Sequence, residues 1–214
     1  RKARKRLRYE SWHLLHLYAY LGVGLAIPHQ LWTGQEFLAS PVAAIYWWTL
    51  WIASAGAVLV WRLGLPLYRT LRHDLRVSAV VRESPDIISV WMRGRDLDRL
   101  PVASGQFFTW RFLTGPGWTR GHPYSLSAAP TGDTLRITVK DLGDGSRALA
   151  EVPVGTRVAI EGPYGRLHAG ARSRPKVTLM GSGIGITPLR AILEDLPQRP
   201  GDVTVIYRAS TEHD

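Results

Sequence analysis

His122-Pro123-Tyr124-Ser125-Leu126-Ser127, Gly143-Asp144-Gly145-Ser146 and Gly181-Ser182-Gly183-Ile184-Gly185-Ile186-Thr187-Pro188 follow one another in the second half of the chain, behind two long uncharged segments. A single glycine loop says little until its strand and helix are known. An aromatic-hydroxyl pair, a glycine turn and a glycine loop in fixed order are much harder to dismiss.

The 214 residues are 45% hydrophobic, which an ordinary globular domain could be, yet the nine tryptophans and the apolar runs crowd toward the front. From Ser11 to Gln35, and again from Phe37 to Trp61, there is no Asp, Glu, Lys or Arg. Roughly 20 apolar residues cross a bilayer as helix, so both stretches qualify by length. Neither resembles a signal peptide, whose apolar core is shorter. Arg1, Lys2, Arg4, Lys5, Arg6 and Arg8 precede the first; Arg62, Arg69, Arg72 and Arg76 follow the second, and only Glu36 lies between. The positive-inside rule then puts both ends in the cytoplasm of a multi-pass cell-membrane protein. A pair of buried core helices in a soluble protein is the alternative.

The formal charge of +10 clusters beside these segments, so anionic lipid headgroups are a nearer partner than nucleic acid, and no nucleic-acid partner is expected. There is no cysteine, which excludes disulfides, thiolate metal sites and cysteine nucleophiles within this chain.

His13, His16 and His29 fall in the first segment. Ionisable groups within a span are treated as functional by default, and imidazole is a usual axial ligand of haem iron. Positions 16 and 29 are about 20 Å apart along a helix, too far for one iron. Thirteen steps of roughly 100° also leave the two rings well away from one face, although Pro28 can bend the local path. Spacing alone equally permits histidines bonded at an interface or to neighbouring helices.

The neighbours of these histidines, Tyr9-Glu10-Ser11-Trp12 before His13-Leu14-Leu15-His16 and Gly24-Leu25-Ala26-Ile27-Pro28 before His29, resemble the ferric reductase and NADPH oxidase superfamily. The resemblance implies metal ligands at His16 for an inner haem and His29 for an outer one, with partner ligands on transmembrane helices outside this chain. His13 stands as a second candidate for the inner position.

Beyond Arg72 short alternating stretches replace the long apolar ones: Leu75 to Val81, Ile87 to Arg93, Gln106 to Leu113, Leu135 to Lys140 and Arg157 to Glu161. Pro85-Asp86, Pro101, Gly115-Pro116-Gly117 and Thr131-Gly132-Asp133 punctuate them. With one helical segment near Arg147 to Glu151, the pattern predicts a small antiparallel barrel. His122 to Ser127 resembles the flavin element of the ferredoxin-NADP reductase family, which implies that Tyr124 packs on the isoalloxazine ring and Ser125 bonds near its reactive nitrogen. His122, where the soluble branch has arginine, with Pro123 after it, is similar to the membrane oxidase branch. Leu126 and Ser127 complete the FAD-binding set.

Gly143, Gly145 and Ser146 open a short helix, and free N–H groups at a helix start suit phosphate. A plain turn capped by Ser146 is the other reading; position after the Tyr-Ser element points to the FAD pyrophosphate. Gly162-Pro163-Tyr164-Gly165 resembles the family's closing barrel loop, in a supporting role. Lys176 to Met180 predicts a buried strand, Gly181 to Gly185 a tight loop, Pro188 to Leu196 a helix and Val203 to Arg208 a second strand, making a βαβ unit. Gly181, Gly183 and Gly185 with Thr187 and Pro188 resemble the reductases' NAD(P)H loop, a purely structural turn being the alternative. Arg208 is a candidate for the extra phosphate of NADP.

The expected fold is therefore multidomain: two transmembrane α-helices with basic flanks (1–72), an antiparallel FAD-binding β-barrel of ferredoxin-reductase type (73–170), and the start of an α/β NAD(P)-binding domain (171–214). The chain is expected to be a fragment of the family architecture. The resemblance implies an NAD(P)H-dependent oxidoreductase passing electrons through FAD to haem and on to an acceptor such as ferric iron or dioxygen, with Tyr124 and Ser125 at the reacting ring. A membrane-anchored relay subunit without its own turnover, and a haem-free anchored flavin reductase, are the rivals.

Overall fold

The computed structural model describes residues 9–35, 39–115, 117–197 and 199–209; within the first helix side chains are described from Tyr18 onward, positions 28 and 31 excepted. Arg1 to Arg8, Glu36 and Pro116 lie outside the described residues, as do the side chains of His13 and His16. The chain divides into two compact units, 1–60 and 61–214.

In the first unit α1 spans Tyr9–Thr33 and runs unbroken through Pro28. α2, Pro41–Ala57, starts where Ser40 Oγ accepts the Ala43 N–H at 3.3 Å and a proline occupies the first turn. A π-helical stretch, Val58–Gly64, leads into α3, Leu65–His73. Pro41–His73, 33 residues, is long and apolar enough to cross a membrane by length and composition; the apolar part of α1 among the described residues, Tyr18–Ile27, is shorter. Among the described residues one helix, where two spans were expected, meets that requirement.

The helix also does not stop at Trp61. Arg62, Arg69 and Arg72 ride on it rather than after it. The reason lies in unit 2: Arg62 pairs with Glu161, Arg69 donates to the Gly162 carbonyl, and Thr70 Oγ1 accepts the Ile160 N–H at 3.1 Å. Helix side chains thus bond Val158–Tyr164, the last strand of the barrel, and not the strand that follows the helix in sequence.

The barrel consists of two three-stranded antiparallel sheets. β1 (Arg76–Ser84), β2 (Ile87–Arg93) and β5 (Thr134–Lys140) form one; β4 (His122–Ser125), β3 (Phe107–Phe112) and β6 (Val158–Tyr164) form the other. Isolated bridges Arg76–Arg157 and Leu126–Ile137 join them. In β3 every second residue is buried, so Phe108, Trp110 and Phe112 enter the core with Val90, Met92, Ile137 and Ile160. β4 is a strand that the sequence pattern did not declare. The helical segment near Arg147 is two short pieces, α4 (Asp144–Arg147) and a 3₁₀ turn, Ala148–Glu151.

A second core of Leu179, Leu189, Ile192 and Leu196 holds β7 (Val177–Ser182), α5 (Ile186–Asp195) and β8 (Val203–Arg208), with β7 and β8 parallel. Two boundaries differ from expectation: Gly181 and Ser182 belong to β7, and α5 begins at Ile186, so Pro188 is its third residue. A proline there loses nothing, since the first N–H groups of a helix have no intrahelical partner. Glu194 on α5 accepts the Ala129 N–H of the barrel at 2.9 Å with one oxygen and Arg190 Nε at 2.9 Å with the other.

Candidate functional site

β4 is held along β3 in the register Phe107–Ser125, Phe108–Tyr124, Thr109–Pro123 and Trp110–His122. The buried indole of Trp110 donates to the Tyr124 carbonyl at 2.9 Å, tying the strand to the core. Residues two apart on a strand share a face. His122 and Tyr124 accordingly stack, ring centroids 6.0 Å apart and planes 5° from parallel. Burial, then the charge of Arg120, lowers the His122 pKa, and burial raises that of Tyr124. Both shifts act toward neutral rings, so burial favours an uncharged aromatic shelf.

The rest of this motif divides. Pro123 is exposed and Ser125 half-buried, whereas Leu126 is a core residue whose N–H donates to the Gln106 carbonyl. Ser127 is buried too, but its hydroxyl bonds Arg136 Nε at 3.0 Å and Thr138 Oγ1 at 2.8 Å.

The glycine turn lies against the shelf. A Cβ on Gly145 would stand 2.7 Å from His122 Cε1, so the absent side chain is what lets turn and ring meet, while a Cβ on Gly143 would meet nothing within 4 Å. Ser146 Oγ accepts the N–H groups of Leu142 at 2.8 Å and Gly143 at 3.1 Å, which makes it the fastening of the turn. Asp141 accepts Arg147 Nε at 3.1 Å and the Gly143 N–H at 3.2 Å; the Arg147 bond foremost holds its carboxyl below the usual range. α4 is a single turn, so it offers N–H groups without a long helix dipole.

The third motif stands at the carboxyl ends of β7 and β8, the edge at which open α/β sheets take ligands. Its glycines differ in purpose. A Cβ on Gly181 would stand 2.8 Å from Leu189 Cδ1, so this glycine serves helix-strand packing. Gly183 has φ of +50°, and a Cβ on it or on Gly185 would meet nothing within 4 Å. Thr187 Oγ1 donates to the Ile184 carbonyl at 3.0 Å. Arg208, exposed, is the register partner of Ser182, one residue before Gly183.

A cleft of about 280 Å³ brings barrel and glycine loop together: Ser127, Arg136 and Thr138 line it from one side, Gly183, Thr187 and Arg190 from the other. Arg136 was not singled out in the sequence. It is 8% exposed, sits 5.0 Å over the Trp91 ring and donates to both the hydroxyl and the carbonyl of Ser127. The available signal was the period of β5, which places Arg136, Thr138 and Lys140 on one face.

His29 is exposed on α1, and its carbonyl accepts Thr33 Oγ1 at 2.5 Å. Among the described residues no three His, Cys, Asp or Glu side chains cluster as metal ligands, and the His16 side chain lies outside them.

No family model matches the chain. It is 31% identical over 151 residues to a flavohemoprotein of Candida norvegensis, covering 66% of this chain and 39% of that protein. To NADPH oxidase 1 of Mus musculus it is 25% identical over 154 residues, 68% of this chain and 25% of the other. Among solved structures, the flavohem-like FAD/NAD-binding domain of nitric oxide dioxygenase from Vibrio cholerae matches with a TM-score of 0.54 and 29% identity, covering 66% of this chain and 65% of that one. The fold is the ferredoxin-reductase FAD/NAD-binding fold. The aromatic shelf belongs to the barrel and the glycine loop to the parallel β7–β8 pair. The chain spans well under half the length of the curated relatives above.

Proposed function

We propose that this chain is the nucleotide-oxidising part of a membrane oxidoreductase that passes electrons from NAD(P)H through FAD to haem, and on to an acceptor such as ferric iron or dioxygen. The observation that carries the reading is the shared cleft: the strand of Arg136 and Thr138, with Ser127 two residues past the shelf motif's Ser125, faces the open glycines of the NAD(P)-type loop. Similarity to flavohemoproteins and an NADPH oxidase supports the same chemistry.

The residues present fit FAD. Tyr124 and His122 offer neutral ring faces, Ser125 a hydroxyl beside them, and Gly143 and Gly145 a turn with open space on one side. When bound, FAD supplies acceptance of a hydride and release of single electrons. The protein's own task is then orientation. Tyr124 would set the ring plane, Ser125 would bond at the ring edge, Gly183 and Gly185 would let the dinucleotide backbone approach, Thr187 and Pro188 would open the helix behind it, and Arg208 would reach an extra phosphate. For haem, a continuous α1 keeps His16 and His29 about 20 Å apart, which suits two irons and not one. Their partner ligands would come from helices outside this chain. Domains over 1–72, 73–170 and 171–214, two spans and a cytoplasmic face for both cofactor domains complete the proposal.

The absorption spectrum of the full-length protein tests it. Flavin bands bleached by NAD(P)H together with a Soret band are expected; flavin without a Soret band would turn the reading to a haem-free anchored flavin reductase, and bound flavin that NAD(P)H leaves oxidised to a relay subunit.

A further inference from the structure

The loop between β3 and β4 carries an exposed tryptophan, and a chain of hydrogen bonds fixes that loop to the residue that follows the apolar segment. Arg111 is the link. Its Nε donates to the Thr119 carbonyl at 3.2 Å and its Nη1 to Glu161 Oε2 at 3.3 Å. Glu161 is 4% exposed, and its other oxygen accepts Arg62, the neighbour of Trp61, and the Tyr164 hydroxyl at 2.9 Å. The loop closes tightly over Arg111: a Cβ on Gly121 would stand 2.4 Å from Thr109 and 3.3 Å from the Arg111 guanidinium. Trp118 at its tip is nevertheless 55% exposed, and Trp61 at the other end of the network is 67% exposed.

Trp118 is thus a large aromatic presented to the outside on a braced loop. Tryptophan is enriched where bilayer meets water, its ring at headgroup level and its N–H still hydrated. Arg120 beside it, and Arg62 at the far end of the network, add the positive charge that anionic headgroups attract. Glu161, the one carboxylate of the network, is already committed to arginine.

We propose that the Trp118 loop is a second membrane contact: with the apolar helix as the first, it rests in the headgroup layer of an anionic bilayer and fixes the tilt of the barrel above it. The loop leads directly into β4, so the contact would also set how the His122–Tyr124 shelf stands over the membrane. This inference rests on the reading of the charge-free part of Pro41–His73, up to Trp61, as a span.

The chain has no cysteine, so in a background from which any cysteine outside it has been replaced Trp118→Cys provides a single labelling site, and Ile52→Cys, 66% exposed on α2, provides a reference in the span. The full-length protein, labelled with an environment-sensitive fluorophore, would be reconstituted into vesicles of phosphatidylcholine mixed with phosphatidylglycerol, with lipid brominated on the acyl chain as the quencher. Quenching at both sites, weaker at 118 than at 52 and reduced at 118 in phosphatidylcholine alone, is the expected result. Quenching at 52 with none at 118 would overturn the loop contact and leave the span standing, whether the dye at 118 reports water or the cover of another protein segment. Quenching at neither site would remove the span and the loop contact with it.

Discussion

The rings of His122 and Tyr124 lie 5° from parallel at 6.0 Å on one face of β4. A flavin ring added to that shelf would gain from stacking on Tyr124, a contribution of about 1 kcal/mol beyond its buried area. Tyr124→Ala should therefore weaken FAD binding by roughly ten-fold or more, while Tyr124→Phe keeps most of the affinity. Fluorescence titration of the apoprotein with FAD reads both; equal affinity in Tyr124→Ala would remove the shelf from the site.

Acid should attack the same shelf. Burial and Arg120 hold the folded-state pKa of His122 below the ordinary histidine value, so the unfolded chain takes up its proton more readily. The stability tied to neutral His122 is then present above the unfolded pKa and lost as pH falls through the folded one. Thermal unfolding from neutral pH down to about pH 5, a window that spans the usual histidine range, should show a loss in the native protein that is smaller in His122→Gln. An identical loss in both would rule out this source.

Gly145→Ala separates fold from site. The backbone there needs no left-handed conformation, but the new Cβ would stand 2.7 Å from His122 Cε1 and push the ring out of its stack. Global stability should change by less than about 1 kcal/mol, as for an exposed turn, whereas FAD affinity falls several-fold. Paired melting and flavin-titration curves check the split.

Trp110→Phe should act in the opposite sense. It leaves an aromatic in the core but strips the Tyr124 carbonyl of its indole donor. Loss of one of that carbonyl's donors, with the smaller ring, predicts a loss of about 2 kcal/mol. Denaturant unfolding of the native and variant proteins measures it.

Arg208→Ala addresses the nucleotide. Beside Ser182 at the carboxyl edge of the parallel pair, Arg208 is placed to meet a phosphate that NADPH has and NADH lacks. The variant should raise KM for NADPH roughly ten-fold, one charge-assisted contact's worth, and leave NADH untouched; an unchanged preference would discard the assignment.

Much of this fold was legible because its strands are short apolar and β-branched runs bounded by turn residues. β2 occupies Ile87–Arg93 as read, and β3, β5, β6, β7 and β8 fall within a few residues of expectation, although among these only β3 buries every second side chain. β4 escaped for a physical reason: His122-Pro123-Tyr124-Ser125 contains a proline and no alternation of apolar residues, and it is a strand because Phe107 to Trp110 pair with it. The extension of the second helix to His73 was equally hidden, because arginines read as the end of an apolar segment unless their partners, Glu161 and Gly162, are known to be nearby. Arg136 shows the same limit from the other side, as a cation inside a barrel strand reveals its purpose only once Ser127 and Trp91 surround it.

Glu194 splits its two oxygens between its own helix and the backbone of Ala129. It works as a keystone shared by both walls of the cleft: any ligand that draws the glycine loop toward the barrel must move α5 against a bond anchored just past Ser127. Domain closure on a dinucleotide would thus be felt along the strand that carries the aromatic rings, two residues before that serine.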